Sequence, residues 1–221
     1  MRPLLTLVAR DLRLAVRQGG ALGTALGFYM LVVTLLPLGL GADLNLLSRI
    51  AAGVLWIALL LSALLSLPRV FASDYEDGSL DILATGSLPL ELVAAAKALA
   101  HWISTSIPLA LLAPVLGILL NLEIGAYPIL VATMLVGTPA VSFIGAVGAA
   151  LTLRAHRGGL LIALLVLPFY VPTLIFGIAS ISALLGPGGV SSPFLILTAI
   201  SLAAVVLGPF AAAAALRIQM Q

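Results

Sequence analysis

The feature that most constrains this chain is a series of long, uninterrupted apolar runs. A helix needs roughly 20 mostly apolar residues to cross a hydrocarbon core of about 30 Å. Runs of about this length occupy residues 21–40, 50–68, 100–120, 127–152, 159–185 and 194–216. The runs are continuous rather than alternating in polarity, which predicts helices instead of the strands of a closed barrel.

The composition excludes a water-soluble fold. Charged residues make up only 8% of the chain, against about 25% in a soluble domain. We therefore expect an all-α integral membrane protein with six transmembrane helices, folded as one transmembrane domain over residues 1–221. The chain leaves no room for a second, soluble domain.

The basic residues predict how these helices are oriented. Nine of the ten Lys and Arg residues fall on one side of the predicted bundle. They are Arg2, Arg10, Arg13, Arg17, Arg69, Lys97, Arg154, Arg157 and Arg217. The other side carries only Arg49. Because segments rich in Lys and Arg stay in the cytoplasm, both termini are predicted to be cytoplasmic.

Residues 2–17 form the pattern of an amphipathic helix, with arginines on one face and Leu and Val on the other. Such a helix lies in the membrane interface with its arginines towards lipid phosphates. Two interpretations stay open: an anchor that sets topology, or an elbow helix that packs on the bundle and responds to a cytoplasmic partner. Asp11 falls on the apolar side, and the sequence gives no reason for it.

Several chemistries are excluded or disfavoured by what the sequence lacks. There is no cysteine and no G-x-x-x-x-G-K-[ST] motif, so thiolate chemistry and P-loop nucleotide binding in this chain are excluded. No acidic residue lies deep in a span, which argues against an ion-coupled carrier or an intramembrane hydrolase. The two histidines, His101 and His156, lie in separate segments and predict no metal site.

The segment between spans 2 and 3, residues 69–88 and here called the hinge, carries the strongest functional signal. It holds four of the eight acidic residues of the chain within positions 74–81. Gly78 permits a turn, and Ser79 is expected to cap a short helix with Asp81 in its first turn. An apolar side of that helix is formed by Leu80, Ile82 and Leu83. This pattern favours a docking surface for a soluble partner, the alternative being a solvated loop.

Spans 3 and 5 carry further signals. Pro89 and Glu91 are helix-start signals, so the third helix should begin well before its apolar run, with Lys97 and Glu91 solvated or interfacial. His101 and Trp102 then form either a pair at headgroup depth or a polar contact to substrate or a partner subunit. Two prolines four residues apart in span 5 predict a kinked or discontinuous helix, as a structural bend or as a gating element.

Three motifs resemble those of the CcmB family, the membrane subunits of the cytochrome c maturation ABC transporter. They are Ser-Leu-Pro-Leu-Glu-Leu at 87–92, Ala-Lys-Ala-Leu-Ala-His-Trp at 96–102 and Leu-Pro-Phe-Tyr-Val-Pro at 167–172. The acidic hinge alone is less specific, since it is also similar to other type-2 ABC exporter permeases. The resemblance covers essentially the whole chain.

The resemblance implies a type-2 ABC permease with a hinge that enters a separate ATPase subunit. The implied coupling residues are Tyr75, Glu76, Asp77, Gly78, Leu80 and Asp81. A second, smaller cytoplasmic contact is implied at Arg154, His156 and Arg157. Gating or partner contacts are expected at His101, Trp102, Pro168 and Pro172.

The resemblance also implies the surroundings of the chain. It implies that the chain works with haem-handling membrane subunits and a haem chaperone in a bacterial inner membrane, with two permease copies per complex by analogy. ATP-Mg is expected on the ATPase and haem in the wider complex, with no cofactor bound by this chain and no nucleic-acid partner. Two other functions stay open: a lipid or drug exporter, and a membrane scaffold that assembles partners without transport.

Overall fold

The computed structural model describes residues 2–41, 43–155, 158–184 and 192–220, and all regular secondary structure within them is helical. The first five helices are α1 Arg2–Gln18, α2 Gly20–Leu40, α3 Leu44–Ser66, α4 Arg69–Glu76 and α5 Ser79–Thr85. The next two are α6 Leu90–His101 and α7 Ile107–Leu119, joined by a π-helical segment, Trp102–Ser106. The last three are α8 Ala126–Leu151, α9 Gly158–Leu184 and α10 Ser192–Gln219.

Six helical stretches of the described chain are long and apolar enough to cross a membrane, which confirms the predicted all-α membrane fold. They are α2, α3 continued by α4, α6 continued by α7, α8, α9 and α10. The second stretch begins at Leu44, earlier than expected, because the Asp43 side chain caps it. Its Oδ1 accepts hydrogen bonds from the backbone N–H groups of Asn45 and Leu46 at 3.0 and 3.1 Å.

The side-chain contacts gather the basic segments at one end of the bundle. At this arginine-rich end the joined pairs are Arg10 with Asp74, Arg154 with Tyr75, Arg217 with Glu91, and Gln219 with the carbonyl of Leu151. At the opposite end, Asn121 Nδ2 donates to the carbonyl of Leu44 at 3.4 Å. The segments therefore sort between the two ends as the charge pattern predicts.

Helix α9 tests the prediction that the fifth span is kinked or discontinuous. It runs from Gly158 to Leu184 without interruption although Pro168 and Pro172 lie inside it, so the discontinuous form of the fifth span is wrong. Tyr170, between the two prolines, is buried and donates a hydrogen bond from its hydroxyl to the Val141 carbonyl at 2.6 Å. This bond fixes the proline-rich stretch against α8. The two prolines themselves are exposed.

The centre of the bundle is organised around Trp56, whose side chain is fully buried. A Cβ placed on Gly137 of α8 would lie 2.6 Å from the indole, and one on Gly177 of α9 would lie 2.7 Å from it. The ring is therefore held between two helices at positions where only glycine leaves enough space. This packing joins α3, α8 and α9.

We predict that Gly177→Ala destabilises the bundle. The new methyl group meets a rigid indole rather than a flexible chain end, and overpacking of this kind typically costs about 1–3 kcal/mol. Thermal unfolding of the purified protein in detergent measures the effect. Gly27→Ala is the matched control, because nothing lies within 4 Å of a Cβ at Gly27. Equal melting temperatures for the two variants would contradict the role given to Trp56.

The orientation of the bundle is a second prediction. An alkaline phosphatase reporter, which is active only outside the cytoplasm, should be active when fused after Ile124 and inactive when fused after Gln219. The reason is that the arginine-rich end stays on the cytoplasmic side. Activity of the fusion after Gln219 would reverse the assignment.

Candidate functional site

The hinge folds into two short helices separated by a tight turn. Helix α4 ends at Glu76, and Gly78 adopts φ 75°, a left-handed conformation that glycine accepts without steric cost. Asp77 Oδ1 accepts a hydrogen bond from the backbone N–H of Ser79 at 2.9 Å. Hydrogen bonding from Ser79 holds the pKa of Asp77 below its usual value, so this carboxyl stays ionised. The turn predicted at Gly78 is confirmed.

The expected role of Ser79 as a cap is wrong. Ser79 is the first residue of α5, and Gly78 occupies the cap position with no side-chain hydrogen bond. The Ser79 hydroxyl instead donates to Asp74 Oδ1 at 2.9 Å, because that carboxylate faces it from the last turn of α4. Asp81 does lie in the first turn of α5, as predicted. Ser79 thus links the turn to the buried acid of the hinge.

A four-residue charge cluster, formed by Arg10, Asp11, Asp74 and Lys97, fastens the hinge to the rest of the protein. Arg10 Nη2 donates to both carboxylate oxygens of Asp74 at 2.8 Å. Lys97 pairs with the same carboxylate and also donates to Asp11 Oδ2 at 3.2 Å. Arg10 Nε closes the ring by donating to Asp11 Oδ1 at 2.9 Å. Three helices, α1, α4 and α6, therefore meet in one network.

The cluster is mostly buried, and its charges alternate. Asp74 and Lys97 are each only 5% exposed. Burial disfavours the charged guanidinium of Arg10, but the carboxylates of Asp11 and Asp74 outweigh it and raise the Arg10 pKa. The cluster pairs two basic side chains with two acidic ones, so its formal charges balance.

The cluster also explains two sequence observations. Asp11 lies on the inward side of α1 because it meets Lys97 there. Lys97 is not solvated, because α1 and the hinge cover this part of α6. Its predicted interfacial depth stays a prediction. Other residues at the start of α6 are covered by protein as well, since Leu90, Val93 and Ala94 are buried.

Helix α1 packs on the bundle rather than lying free in the interface. Leu7 and Val8 are buried, whereas Arg13 and Arg17 are exposed. The predicted amphipathic helix is confirmed in its extent and its two faces. Its contact with α6 is the packing that the elbow-helix interpretation requires.

The outer surface of the hinge is acidic, with one large apolar residue. Glu76, Asp77 and Asp81 are exposed, and Ile82 is 72% exposed. Leu80 differs, since it is fully buried in the core and is absent from this surface. We call the exposed group Glu76, Asp77, Asp81 and Ile82 the docking face.

Tyr75 connects the hinge to the segment that precedes α9. Its side chain is half-buried, and its hydroxyl accepts a hydrogen bond from Arg154 Nε at 3.2 Å. Arg154, predicted as a second cytoplasmic contact, thus lies beside the hinge. The other two residues of that prediction, His156 and Arg157, lie outside the described residues.

His101 and Trp102 are held within the chain. His101 is 7% exposed; its Nε2 lies 2.8 Å from Ser66 Oγ and its Nδ1 lies 3.0 Å from Ser142 Oγ. Trp102 Nε1 donates to Thr138 Oγ1 at 3.0 Å. The imidazole of His101 is enclosed between α3, α6 and α8, so it does not lie on the surface of the bundle. In this conformation its ring nitrogens are not available to a substrate or partner. The depth of the pair in the membrane stays a prediction.

The π-helical segment Trp102–Ser106 follows directly after His101. Segments of this kind are rare and occur frequently at functional sites. Ser106 contributes to the same polar network, since its Oγ lies 2.9 Å from Ser142 Oγ. Pro108 lies two residues after the segment and has no backbone N–H to donate into the preceding turn, which makes it the local sequence signal for an irregular helix here.

The described part of the chain contains no group of three or more His, Cys, Asp or Glu side chains that could hold a metal ion. The acids of the hinge are instead engaged with basic residues or exposed on the docking face.

The family model described as CcmB protein matches residues 2–219. The chain belongs to the CcmB family. It is 57% identical to "Heme exporter protein B" of Paracoccus denitrificans, over 97% of this chain and 99% of that one. It is 46% identical to the Haemophilus influenzae protein of the same name, over 98% of both chains. The Escherichia coli K12 protein of that name is 43% identical over 96% of both.

In this CcmB chain, the motifs that carried the resemblance lie at structurally important positions. The 87–92 motif joins α5 to α6, and the 96–102 motif supplies both Lys97 and His101. The 167–172 motif lies within α9 and supplies Tyr170. Each motif thus provides at least one buried polar contact or the junction beside it.

We predict that Lys97→Met destabilises this CcmB chain strongly. The change removes the inner cation while leaving the Asp74 and Asp11 carboxylates in place, and breaking a buried ion pair in this way costs about 3–5 kcal/mol. The measurement is thermal unfolding together with limited proteolysis in the hinge.

Arg217→Met is the matched control for this prediction. It removes an ion pair with Glu91 at 2.5 Å in which the Arg217 side chain is 56% exposed, and exposed pairs contribute about 0–1 kcal/mol. Equal losses of thermal stability in the two variants would show that the buried charge cluster stabilises the protein no more than an exposed ion pair does.

Proposed function

We propose that this chain is the membrane permease subunit of an ABC transporter complex for c-type cytochrome biogenesis. In this function it couples ATP hydrolysis by a separate ATPase to haem export or to release of a haem-loaded chaperone. The support is its similarity, at 42–57% identity along nearly the whole chain, to proteins named "Heme exporter protein B". Those names favour haem over a lipid or drug as the cargo of the complex.

The single observation that carries the coupling role is the two-sided construction of the hinge. Its outer side presents three carboxylates and Ile82 to solvent, as a surface that binds a soluble partner requires. Its inner side is fixed through Asp74 to α1 and α6. A solvated loop would need neither the buried Leu80 nor the buried Asp74.

The charge cluster provides a route for force from the docking face into the membrane. A displacement of α5 acts through Ser79 on Asp74, and Asp74 is bound to Lys97 on α6. Helix α6 continues through the π-helical segment into α7, and these three segments together form the third span. A movement at the hinge therefore reaches the membrane interior along one helix, with α1 attached to it by Arg10.

This arrangement also revises the set of docking residues. Leu80 is placed in the core, so we propose Ile82 as the apolar anchor in its stead. We place Tyr75 beside the docking face rather than on it, because Arg154 donates a hydrogen bond to its hydroxyl. Arg154 then serves as a link between the hinge and the second cytoplasmic segment.

We further propose that this chain transmits force and does not ligate haem. Both ring nitrogens of His101 are engaged by serine hydroxyls, and the sequence has no cysteine. The ATPase, the haem-handling subunits and a second permease copy would assemble around it in a bacterial inner membrane. Retention of stoichiometric haem by the purified chain alone would overturn this part of the proposal.

The test is charge reversal on the docking face with the double substitution Glu76→Arg and Asp81→Arg. Both carboxylates are exposed, so the fold should be kept while attraction to a basic groove becomes repulsion. The tagged chain is purified in mild detergent, and the ABC ATPase that copurifies is quantified by mass spectrometry. We expect ATPase recovery to fall by roughly tenfold or more, which corresponds to about 1.4 kcal/mol of binding free energy.

Glu123→Arg is the matched control, because Glu123 is equally exposed but lies at the opposite end of the bundle. It should leave ATPase recovery unchanged. Unchanged recovery with the double substitution would place the ATPase elsewhere or favour a non-transporting scaffold.

A further inference from the structure

A cavity of about 120 Å³, lined by both polar and apolar side chains, lies between α1 and the bundle at the arginine-rich end. Its walls come from α1, α2, α3, α4, α6 and the π-helical segment. A water molecule needs only about 10–15 Å³ of such space. The cavity is therefore large enough for a small polar group, and its function is not explained by the docking face.

The cavity is lined by hydrogen-bond donors that have no partner among the described residues. Thr105 is only 3% exposed, yet its hydroxyl makes no hydrogen bond with any part of the described chain. The Ser73 and Ser104 hydroxyls line the same space, but Ser73 is exposed and Ser104 is half-buried, so both can also reach water. The Thr105 oxygen is open to the cavity, so it can donate a hydrogen bond to a polar group placed there.

Arg69 adds an unbalanced positive charge to this lining. Its guanidinium forms no ion pair within the described residues, and it lies over the first turn of α2, since a Cβ placed on Gly20 would be 3.2 Å from Arg69 Nη1. The cap residue of α2, Gly19, provides no side-chain hydrogen bond there. The positive end of the α2 dipole and the Arg69 guanidinium therefore both attract an anion.

The charge balance decides the sign of the ligand. Asp11 and Asp74 also line the cavity, but Arg10 and Lys97 neutralise them within the charge cluster. Arg69 is the charge left over, so the site as a whole is positive. A positive, donor-rich cavity fits an oxyanion and disfavours a metal cation.

The position of the cavity indicates what carries the oxyanion. Helix α1 is amphipathic, with Arg13 exposed, so it lies at the depth of lipid headgroups. Leu14 and Leu22 line the cavity beside its polar groups. Basic pockets between membrane helices on the cytoplasmic side bind anionic headgroups.

We propose that this cavity binds the oxyanionic headgroup of a membrane amphiphile, with Arg69 and Thr105 as its direct contacts. Two sources share this chemistry: the phosphate of an anionic phospholipid and the carboxylates of haem. The proposal does not depend on ATPase docking, because none of the docking-face residues lines the cavity.

The test uses the purified full-length chain in detergent, with phosphatidylglycerol as the probe and native mass spectrometry as the readout. We expect one tightly retained phosphatidylglycerol on the unmodified chain. Arg69→Gln should weaken retention on the order of tenfold, since it removes a charge-assisted hydrogen bond. Thr105→Val, which keeps the shape of the side chain, should weaken it by about threefold, as expected for one neutral hydrogen bond.

Arg13→Gln is the control for surface charge, and Arg69→Lys is the control for folding. The first removes an exposed arginine outside the cavity and should leave retention unchanged. Arg69→Lys keeps the positive charge and should recover part of the phosphatidylglycerol retention that Arg69→Gln loses. Its helix content by circular dichroism should equal that of the unmodified chain. Retention that is indifferent to Arg69 and Thr105, or equally reduced by Arg13→Gln, would overturn the proposal.

Addition of haem then distinguishes the two sources. Displacement of phosphatidylglycerol by equimolar haem, lost in Arg69→Gln, would identify the oxyanion as a carboxylate of haem. Arg69-dependent retention that haem does not disturb would identify it as a lipid phosphate. Both outcomes keep the site, and neither requires an ATPase in the sample. The first outcome would also overturn the separate proposal above that this chain transmits force without holding haem.

Discussion

The carboxylate of Asp74 is the point on which the arginine-rich end of this protein depends. It is bound by Arg10 from α1, by Lys97 from α6 and by Ser79 at the start of α5. Removing either cation would leave the buried Asp74 carboxylate with less compensation, which is costly because the surroundings offer little water. The hinge therefore keeps a fixed position relative to two other helices, and its acidic outer surface can be presented without the segment being a loose loop.

The membrane-embedded part uses a different kind of contact. Lipid provides no hydrophobic driving force between helices, so close packing and interhelical hydrogen bonds hold the bundle together. Trp56 fits against glycines in α8 and α9, and Tyr170 bonds to the backbone of α8. His101 adds a polar joint between α3 and α8 close to the charge cluster. The hinge is thus attached to a bundle that is itself firmly connected.

Two surfaces at the same end have opposite electrostatic character. The docking face is acidic and turned to the solvent, whereas the cavity beneath α1 carries the unpaired Arg69 and a buried, unbonded Thr105. The charge cluster lies between them and contributes no net charge to either. A soluble partner and a membrane amphiphile can therefore be bound at one end of the protein without competing for the same residues.

The sequence by itself determined the span number, the grouping of the basic segments at one end and the turn at Gly78, because run length, charge and backbone conformation are local properties. Only the tertiary structure decided which polar residues are buried. The Arg10–Asp74 pair joins residues 64 apart, and the Asp11–Lys97 pair joins residues 86 apart. Burial of Leu80 likewise depends on neighbours from other helices, and no local pattern specifies which helices will cover a given side chain.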